Sequence, residues 1–150
     1  MDSSTHPIQF HRFMMADYDA VIAFWKEQEG VGLGESDERD CVSAYLERNP
    51  GMSFVVRDGD AVIGAVLCGH DGRRGYLHHL AVASSHRKRG IGRELVRLCL
   101  EQLARIGIQK CNIFLFDNNP HGEAFWHAAG FANRGDLKIM QRTIGGSGEC

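Results

Sequence analysis

Between Tyr76 and Phe116 the chain runs through a β-rich stretch, YLHHLAV, a polar basic loop ending RKRGIG, a long amphipathic stretch stopped by Gly107, and a second β-rich run, IQKCNIFLF. No other feature constrains the fold as much. Strand, helix and strand in that order require a right-handed crossover between parallel strands, with the helix packed on one face of the sheet. Ile91, Leu95, Val96, Leu98, Cys99, Leu100 and Leu103 form the broad apolar face of that helix, and Arg93, Glu94, Arg97 and Glu101 its polar side. The loop needs a separate explanation. Arg87, Lys88 and Arg89 repel one another, and glycine weakens a helix interior, so packing alone does not account for the basic run beside Gly90 and Gly92. At a helix N-terminus the same residues make an anion site. Unpaired N–H groups and the positive end of the helix dipole converge there, glycine admits a ligand to the backbone, and the basic side chains add attraction. A pyrophosphate suits it best.

Around this unit the sequence predicts further elements. Residues 1–7 read as a loose end, and the alternation of Ile8, Phe10 and Arg12 starts a strand. Asp17 is placed to cap a helix carrying Val21, Ile22, Phe24 and Trp25, which ends at the glycine-rich turn EGVGLGES. A second helix is expected from Ser36 to Arg48, with Cys41, Ala44, Tyr45 and Leu46 on its apolar side and Asn49-Pro50-Gly51 as its stop. MSFVVRD and AVIGAVLC flank Asp58-Gly59-Asp60, a strong hairpin pattern, and Gly64 marks a bulge or a close backbone approach. A further turn at Asp71 to Gly75 leads into Tyr76, giving three antiparallel strands in a row. Beyond Asp117-Asn118-Asn119-Pro120 a short helix is expected at Gly122 to Ala129, stopped by Gly130, then a last strand at Leu137 to Ile144. The organisation is one domain over residues 8–144, with a Gly/Ser-rich flexible tail at 145–150 and no internal repeat.

Composition removes several function classes. With 43% hydrophobic and 24% charged residues the chain is an ordinary globular one, and 17 basic against 19 acidic residues give a net charge of −2. That balance leaves no nucleic-acid or membrane footprint, so the basic loop is a local device. No apolar stretch reaches membrane-spanning length and the first residues lack a signal-peptide pattern, so a cytoplasmic location is expected. Cys41, Cys68, Cys99, Cys111 and Cys150 have no C-x-x-C pairing and are expected to be reduced thiols. The histidines and Asp71 around residues 70–79 do not have metal-ligand spacing, and no metal is expected.

Three pieces in order, LAV at Leu80–Val82, R-x-x-G-x-G at Arg87–Gly92 and N-x5-FW-x3-GF from Asn119 to Phe131, resemble the GCN5-related N-acetyltransferase (GNAT) family over most of the chain. The resemblance implies an α/β (α+β mixed-sheet) single domain: a mostly antiparallel twisted sheet, a splayed parallel pair at the cofactor site, and helices on both faces. It implies acetyl-coenzyme A as co-substrate. The pyrophosphate would meet the backbone of Arg87, Lys88, Arg89, Gly90, Ile91, Gly92 and Arg93, and the pantetheine arm would pair with Leu80, Ala81 and Val82 as an added strand. Phe125 and Trp126 would line the tunnel. Asn119 stands where the family reaches the cofactor from beyond the next strand, and before Pro120 it equally reads as a helix cap.

The implied chemistry is direct acetyl transfer to the primary amine of a small molecule or a protein N-terminus. It needs a base for the amine and benefits from a proton donor for the leaving thiolate. The sequence departs from the family at both positions. Tyr76 stands where some members have a glutamate base, and Trp126, whose indole is no practical acid, where many have a tyrosine. Simple alternation puts Tyr76, His78 and Leu80 on one side of the strand and His79 on the other, which makes His78 the candidate base. A histidine satisfied within the sheet, or water relaying the proton, are the alternatives. His127 beside Trp126 reads as a surface residue. By family analogy Trp25, Glu29 and Glu35 would line the acceptor site, although carboxylates in a loop are ordinarily just solvated, as are Arg73 and Arg74 in their turn. A homodimer is compatible with the resemblance. A non-catalytic acyl-coenzyme A sensing module is the other reading. A P-loop nucleotide enzyme is excluded, because no G-x4-G-K-[ST] occurs.

Overall fold

The Asp58-Gly59-Asp60 turn joins β2 (Phe54–Asp58) to β3 (Ala61–His70), and the rest of the sheet grows from that hairpin. In the computed structural model, which describes residues 7–145, β1 (Ile8–Arg12) pairs antiparallel with β2, β4 (Gly75–Val82) pairs antiparallel with β3, and β5 (Cys111–Ile113) pairs parallel with β4. The strand order is β1-β2-β3-β4-β5. The parallel step is the one spanned by α3 (Ile91–Arg105), as the strand–helix–strand pattern requires. The loose ends expected at 1–7 and 145–150 lie almost wholly outside the described residues.

Each sheet face has its own core. On one side Phe54, Val56, Val66 and Leu77 meet Ile91, Leu95, Cys99 and Leu103 of α3, with Phe125 and Trp126 of α4 (Pro120–Ala128) at the margin. On the other, Val55, Ala65 and Leu67 meet Val21, Phe24 and Trp25 of α1 (Tyr18–Lys26) and Val42 of α2 (Arg39–Arg48). Period-two alternation in β2 and β3 supplies both.

Two buried aspartates tie the second layer to the sheet by one device. Asp17 Oδ2 accepts the Met14 N–H at 2.9 Å while its Oδ1 accepts from Arg57 Nη2 of β2 at 2.9 Å. Asp37 Oδ2 accepts the Gly34 N–H at 2.9 Å while its Oδ1 accepts from His79 Nε2 of β4, also at 2.9 Å. Each carboxylate closes a short 3-10 turn, Met15–Asp17 or Glu35–Asp37, and spends its second oxygen on the sheet. Asp17 therefore stands at the head of α1 as expected, but its side chain reaches back rather than forward into the helix.

Several expected boundaries change. The Glu35–Asp37 turn and extended Glu38 delay α2 to Arg39 instead of Ser36. The strand expected over 108–116 shrinks to Cys111–Ile113, because the chain parts from β4 after the pair Leu77–Ile113 and has no other strand among the described residues to bond to. Helix α4 starts at Pro120 rather than Gly122. Residues 137–144 form no strand: no described segment pairs with them, and Met140 and Ile144 are 92% and 95% exposed. At Gly64 the strand has both a bulge and a close backbone approach, since the β2–β3 register slips beside it and an added Cβ would lie 3.3 Å from the Ala81 carbonyl oxygen. Gly107 ends α3 with a left-handed φ of 84°, its N–H donating to Ala104 and that of Ile108 to Leu103. Cys68, Cys99 and Cys111 are free thiols, and burial pushes the Cys111 thiol up to about 12, with Cys68 adding to it. Cys41 departs from the reduced state expected of it, being disulfide-bonded.

Candidate active site

Strand β4 leaves its parallel neighbour halfway along. Pairing with β5 ends at Leu77–Ile113, yet β4 continues to Val82, so its second half presents an unpaired backbone edge. That edge leads through Ala83 and the Ser84–His86 turn straight into the basic loop. Gly90 has φ 79° and open space where a Cβ would stand, and Lys88 is also left-handed at φ 64°. Beyond them the first N–H groups of α3 have no intrahelical partner. Backbone donors in this conformation form a cradle for an anion.

The basic and glycine residues divide their work. Arg87 Nε donates to the Val82 carbonyl at 3.3 Å, fastening the loop to the end of β4, whereas Lys88, Arg89 and Arg93 are exposed. An open cleft of about 410 Å³ lies against the loop, lined by Ile8, Phe10, Arg89, Gly90, Ile91 and Glu94. A Cβ on Gly92 would sit 3.1 Å from Phe125 Cε1, so this glycine is also needed for α4 to close on α3. His86 holds the entry to the loop, its Nε2 2.8 Å from Asp58 Oδ2 and its Nδ1 2.7 Å from Ser85 Oγ.

On the far side of the gap, Asn119 Oδ1 accepts the Gly122 N–H at 3.0 Å, so the cap reading is realised, and Phe125, Trp126 and Phe131 pack edge to face. Trp126 is thus one member of an aromatic cluster. His127 is exposed and lies 2.6 Å from Asn133 Oδ1. Arg73 and Arg74 donate their backbone N–H groups to Asp71 Oδ1, an ordinary turn, and those bonds hold Asp71 below the usual carboxylate range.

The histidines do not follow simple alternation. Between the pairs Ala65–Ala81 and Leu67–His78, two residues of β4 face one of β3, and His79 takes a left-handed φ of 58°. This bulge turns His78 and His79 to the same face. His78 packs against Tyr45, Tyr76 and Phe114, and His79 meets Trp25 edge-on at 5.1 Å, while Leu80 packs on the opposite core. The expected grouping of His78 with Leu80 is therefore corrected. Burial, with His79 adding to it, holds His78 below the ordinary histidine range. Simple alternation puts His79 on the wrong face, and nothing local marks its pairing with Asp37, 42 residues away in sequence.

Of the residues expected at the acceptor side, Trp25 is fully buried behind His79, and Glu29 and Glu35 are exposed at the two ends of the glycine-rich turn. That turn lies against the far wall: a Cβ on Gly30 would meet Asn119 Nδ2 at 3.7 Å and one on Gly32 would meet Phe116 Cζ at 3.3 Å. The arrangement is a slot in the sheet with the open, basic glycine loop at one end and a histidine pair where β4 leaves β5.

Residues 16–131 match the acetyltransferase (GNAT) family. The chain belongs to that family. It is 28% identical over 132 residues to an acetyltransferase of Yersinia enterocolitica, covering 88% of this chain and 93% of the relative. Among solved structures of the same fold are AAC(6')-Iy in complex with the bisubstrate analogue CoA-S-monomethyl-acetylneamine (TM-score 0.72, 13% identity, covering 92% and 99% of the two chains) and the NatC complex bound to Gag peptide and CoA (TM-score 0.71, 17% identity, 85% and 86%). The chain is accordingly a GNAT acetyltransferase with the mixed five-stranded sheet of that fold. No helix among its described residues is long and apolar enough to cross a membrane.

Proposed function

We propose that this GNAT acetyltransferase moves an acetyl group from acetyl-coenzyme A directly to the primary amine of a small molecule or a protein N-terminus. The observation that carries the reading is the splay of β4 from β5 immediately before the basic loop. An extended amide chain would restore strand pairing along Leu80–Val82, and the diphosphate would then reach the N–H groups of Arg87–Gly92. The residues fit such a group, since the β4 edge is unpaired and the space at Gly90 is open. Lys88, Arg89 and Arg93 would add charge attraction, and Phe125 and Trp126 would wall the slot from the α4 side. The Asn119 oxygen caps α4, and among the described residues its amide nitrogen donates no hydrogen bond. Acceptors of both kinds remain in the proposal because structural relatives have been solved with a small-molecule bisubstrate analogue and with a peptide.

The experiment is a thiol-release assay with acetyl-coenzyme A and a panel of amines that includes polyamines, aminosugars and short peptides. Amine-dependent release of free thiol is expected. Cofactor binding without release over the whole panel would favour the sensing module, and unchanged binding after replacing Gly90 and Gly92 with bulky residues would sink the loop assignment.

A further inference from the structure

The bulge in β4 sets an imidazole and a buried carboxylate together where β4 leaves β5. His79 Nε2 lies 2.9 Å from Asp37 Oδ1, with side-chain exposures of 19% for the histidine and 7% for the aspartate. Asp37 is fixed from three directions: its Oδ2 accepts the Gly34 N–H at 2.9 Å, its carbonyl accepts from Tyr18 Oη at 2.6 Å, and its Oδ1 faces His79. An ionised carboxylate only accepts, so His79 must donate from Nε2. The neutral ring is then held in the tautomer whose Nδ1 carries a lone pair. Among the described residues Nδ1 meets no hydrogen-bonding partner, while the fully buried Trp25 backs the ring at 5.1 Å. A left-handed φ at a non-glycine residue inside a strand is uncommon, and here it is what aims the ring at the carboxylate.

We propose that His79, oriented by Asp37, is the general base for the acceptor amine, and that this amine arrives as an ammonium ion from the side of α1 and α2. The proposal rests on the acetyl-transfer reading above, which lays the amide chain of acetyl-coenzyme A along Leu80–Val82, next to His79. His79 Nδ1 takes one proton from R–NH3+, leaving a neutral amine. The amine nitrogen forms a bond to the acetyl carbon as the carbon–sulfur bond breaks. Sulfur leaves with that electron pair and takes up a second proton given up by the nitrogen. His79 then returns its proton to solvent, so the products are R–NH–acetyl, free thiol and H+. Asp37 does not touch the substrate; it is a positioning residue that also stabilises the imidazolium while the proton is held.

The charged and titratable groups around the pair are few. Asp37 faces His79 from the turn before α2, and His78 is its neighbour on β4. Tyr18 of α1 faces Asp37, with Arg39, Asp19 and Glu38 around it, and Tyr45 of α2 faces His78.

The test uses the full chain with acetyl-coenzyme A and the best amine from the panel. His79→Asn is the informative variant, because asparagine tolerates the left-handed backbone that His79 adopts. It is expected to lower kcat/KM at neutral pH about 100-fold, with KM for acetyl-coenzyme A within about twofold of the parent. The deficit is expected to shrink at alkaline pH, where the amine is neutral unaided. Asp37→Asn is expected to lower kcat about 10-fold and to move the acidic limb toward lower pH, since the imidazolium loses its counter-charge. A merely structural pair would lower melting temperature without moving the pH profile. Unchanged kcat/KM and an unchanged profile in His79→Asn, with the parent active, would overturn this proposal and leave the acetyl-transfer reading standing. A parent inactive on every amine would overturn both. Imidazole nitrogen resonances give a check independent of turnover: His79 is expected as the Nε2–H tautomer in the parent, and an Nδ1–H tautomer there would overturn the assignment even if Asp37→Asn failed to fold.

Discussion

A methyl group at Gly92 would stand 3.1 Å from Phe125 Cε1 and 3.6 Å from Val82 Cγ2, while one at Gly90 would touch nothing within 4 Å. The two glycines of the loop therefore resist substitution for different reasons. Gly90→Ala is expected to cost roughly 1–2 kcal/mol through its left-handed backbone. Gly92→Ala is expected to cost about 1–3 kcal/mol through overpacking. Thermal melts in a Phe125→Leu background separate them, since only the Gly92 variant should recover. Asn119 can be split in the same way, because its oxygen caps α4 and its nitrogen donates no hydrogen bond among the described residues. Asn119→Ala should lose about 1 kcal/mol of stability and Asn119→Asp almost none. If the nitrogen also serves acetyl-coenzyme A, both variants should raise KM for it, and an Asn119→Asp enzyme with parental KM would confine the residue to its cap. At this scale the sequence was informative where chemistry is local. The cap reading of Asn119 came from its place before Pro120, its cofactor reading from the family resemblance, and the anion loop from charges crowded on glycines. It was silent on Gly92 against Phe125, a contact made across 33 residues by the close approach of two helices.

Elements were legible wherever neighbours in sequence are neighbours in space. The Asp58-Gly59-Asp60 hairpin, the long helix after the basic loop and its Gly107 stop all stand as read. Alternation failed in β4 because it carries one extra residue between His78 and Ala81, opposite Val66 of β3, and no glycine flags it: the left-handed position is occupied by His79. The segment at 137–144 has strand-like residues but no strand partner, and local pattern does not provide one. The turn carrying Asp37 has the sequence pattern of a helix start for a related reason, since its carboxylate is satisfied by a distant strand. The connection has a measurable acid response. Burial pushes the Asp37 carboxyl up, but the hydrogen bonds from His79 and the Gly34 N–H, with the charges of His79 and His78, outweigh it and leave the group below its usual range. His78 is lowered chiefly by burial. Both groups have folded values below their unfolded ones, so each contributes fully above its unfolded pKa and loses that contribution as pH falls through the folded one. Stability should therefore decline first as pH drops below about 6.5, and again below about 3.9. Urea midpoints measured against pH should lose the first decline in His78→Phe and the second in Asp37→Asn; a first decline that persisted in His78→Phe would contradict the assignment.

Over the whole molecule, two cores back a single sheet, and the sheet is interrupted where β4 and β5 part. A ligand that completes it stabilises the native state by mass action, about 2.7 kcal/mol at 100 times its dissociation constant. For a chain of this size that corresponds to a rise in melting temperature of roughly 5–10 °C. Titration of acetyl-coenzyme A in a melting experiment should show the rise, and Gly90→Ala should shift it to higher ligand concentration. The same interruption has a colloidal consequence. Without its co-substrate the chain displays an open strand edge on β4 beside the exposed rings of Phe114 and Phe116, which is the template that edge-to-edge aggregation uses. Supply of acetyl donor would then govern the protein's solubility as well as its turnover, and light scattering on gentle warming should begin later as the co-substrate concentration is raised.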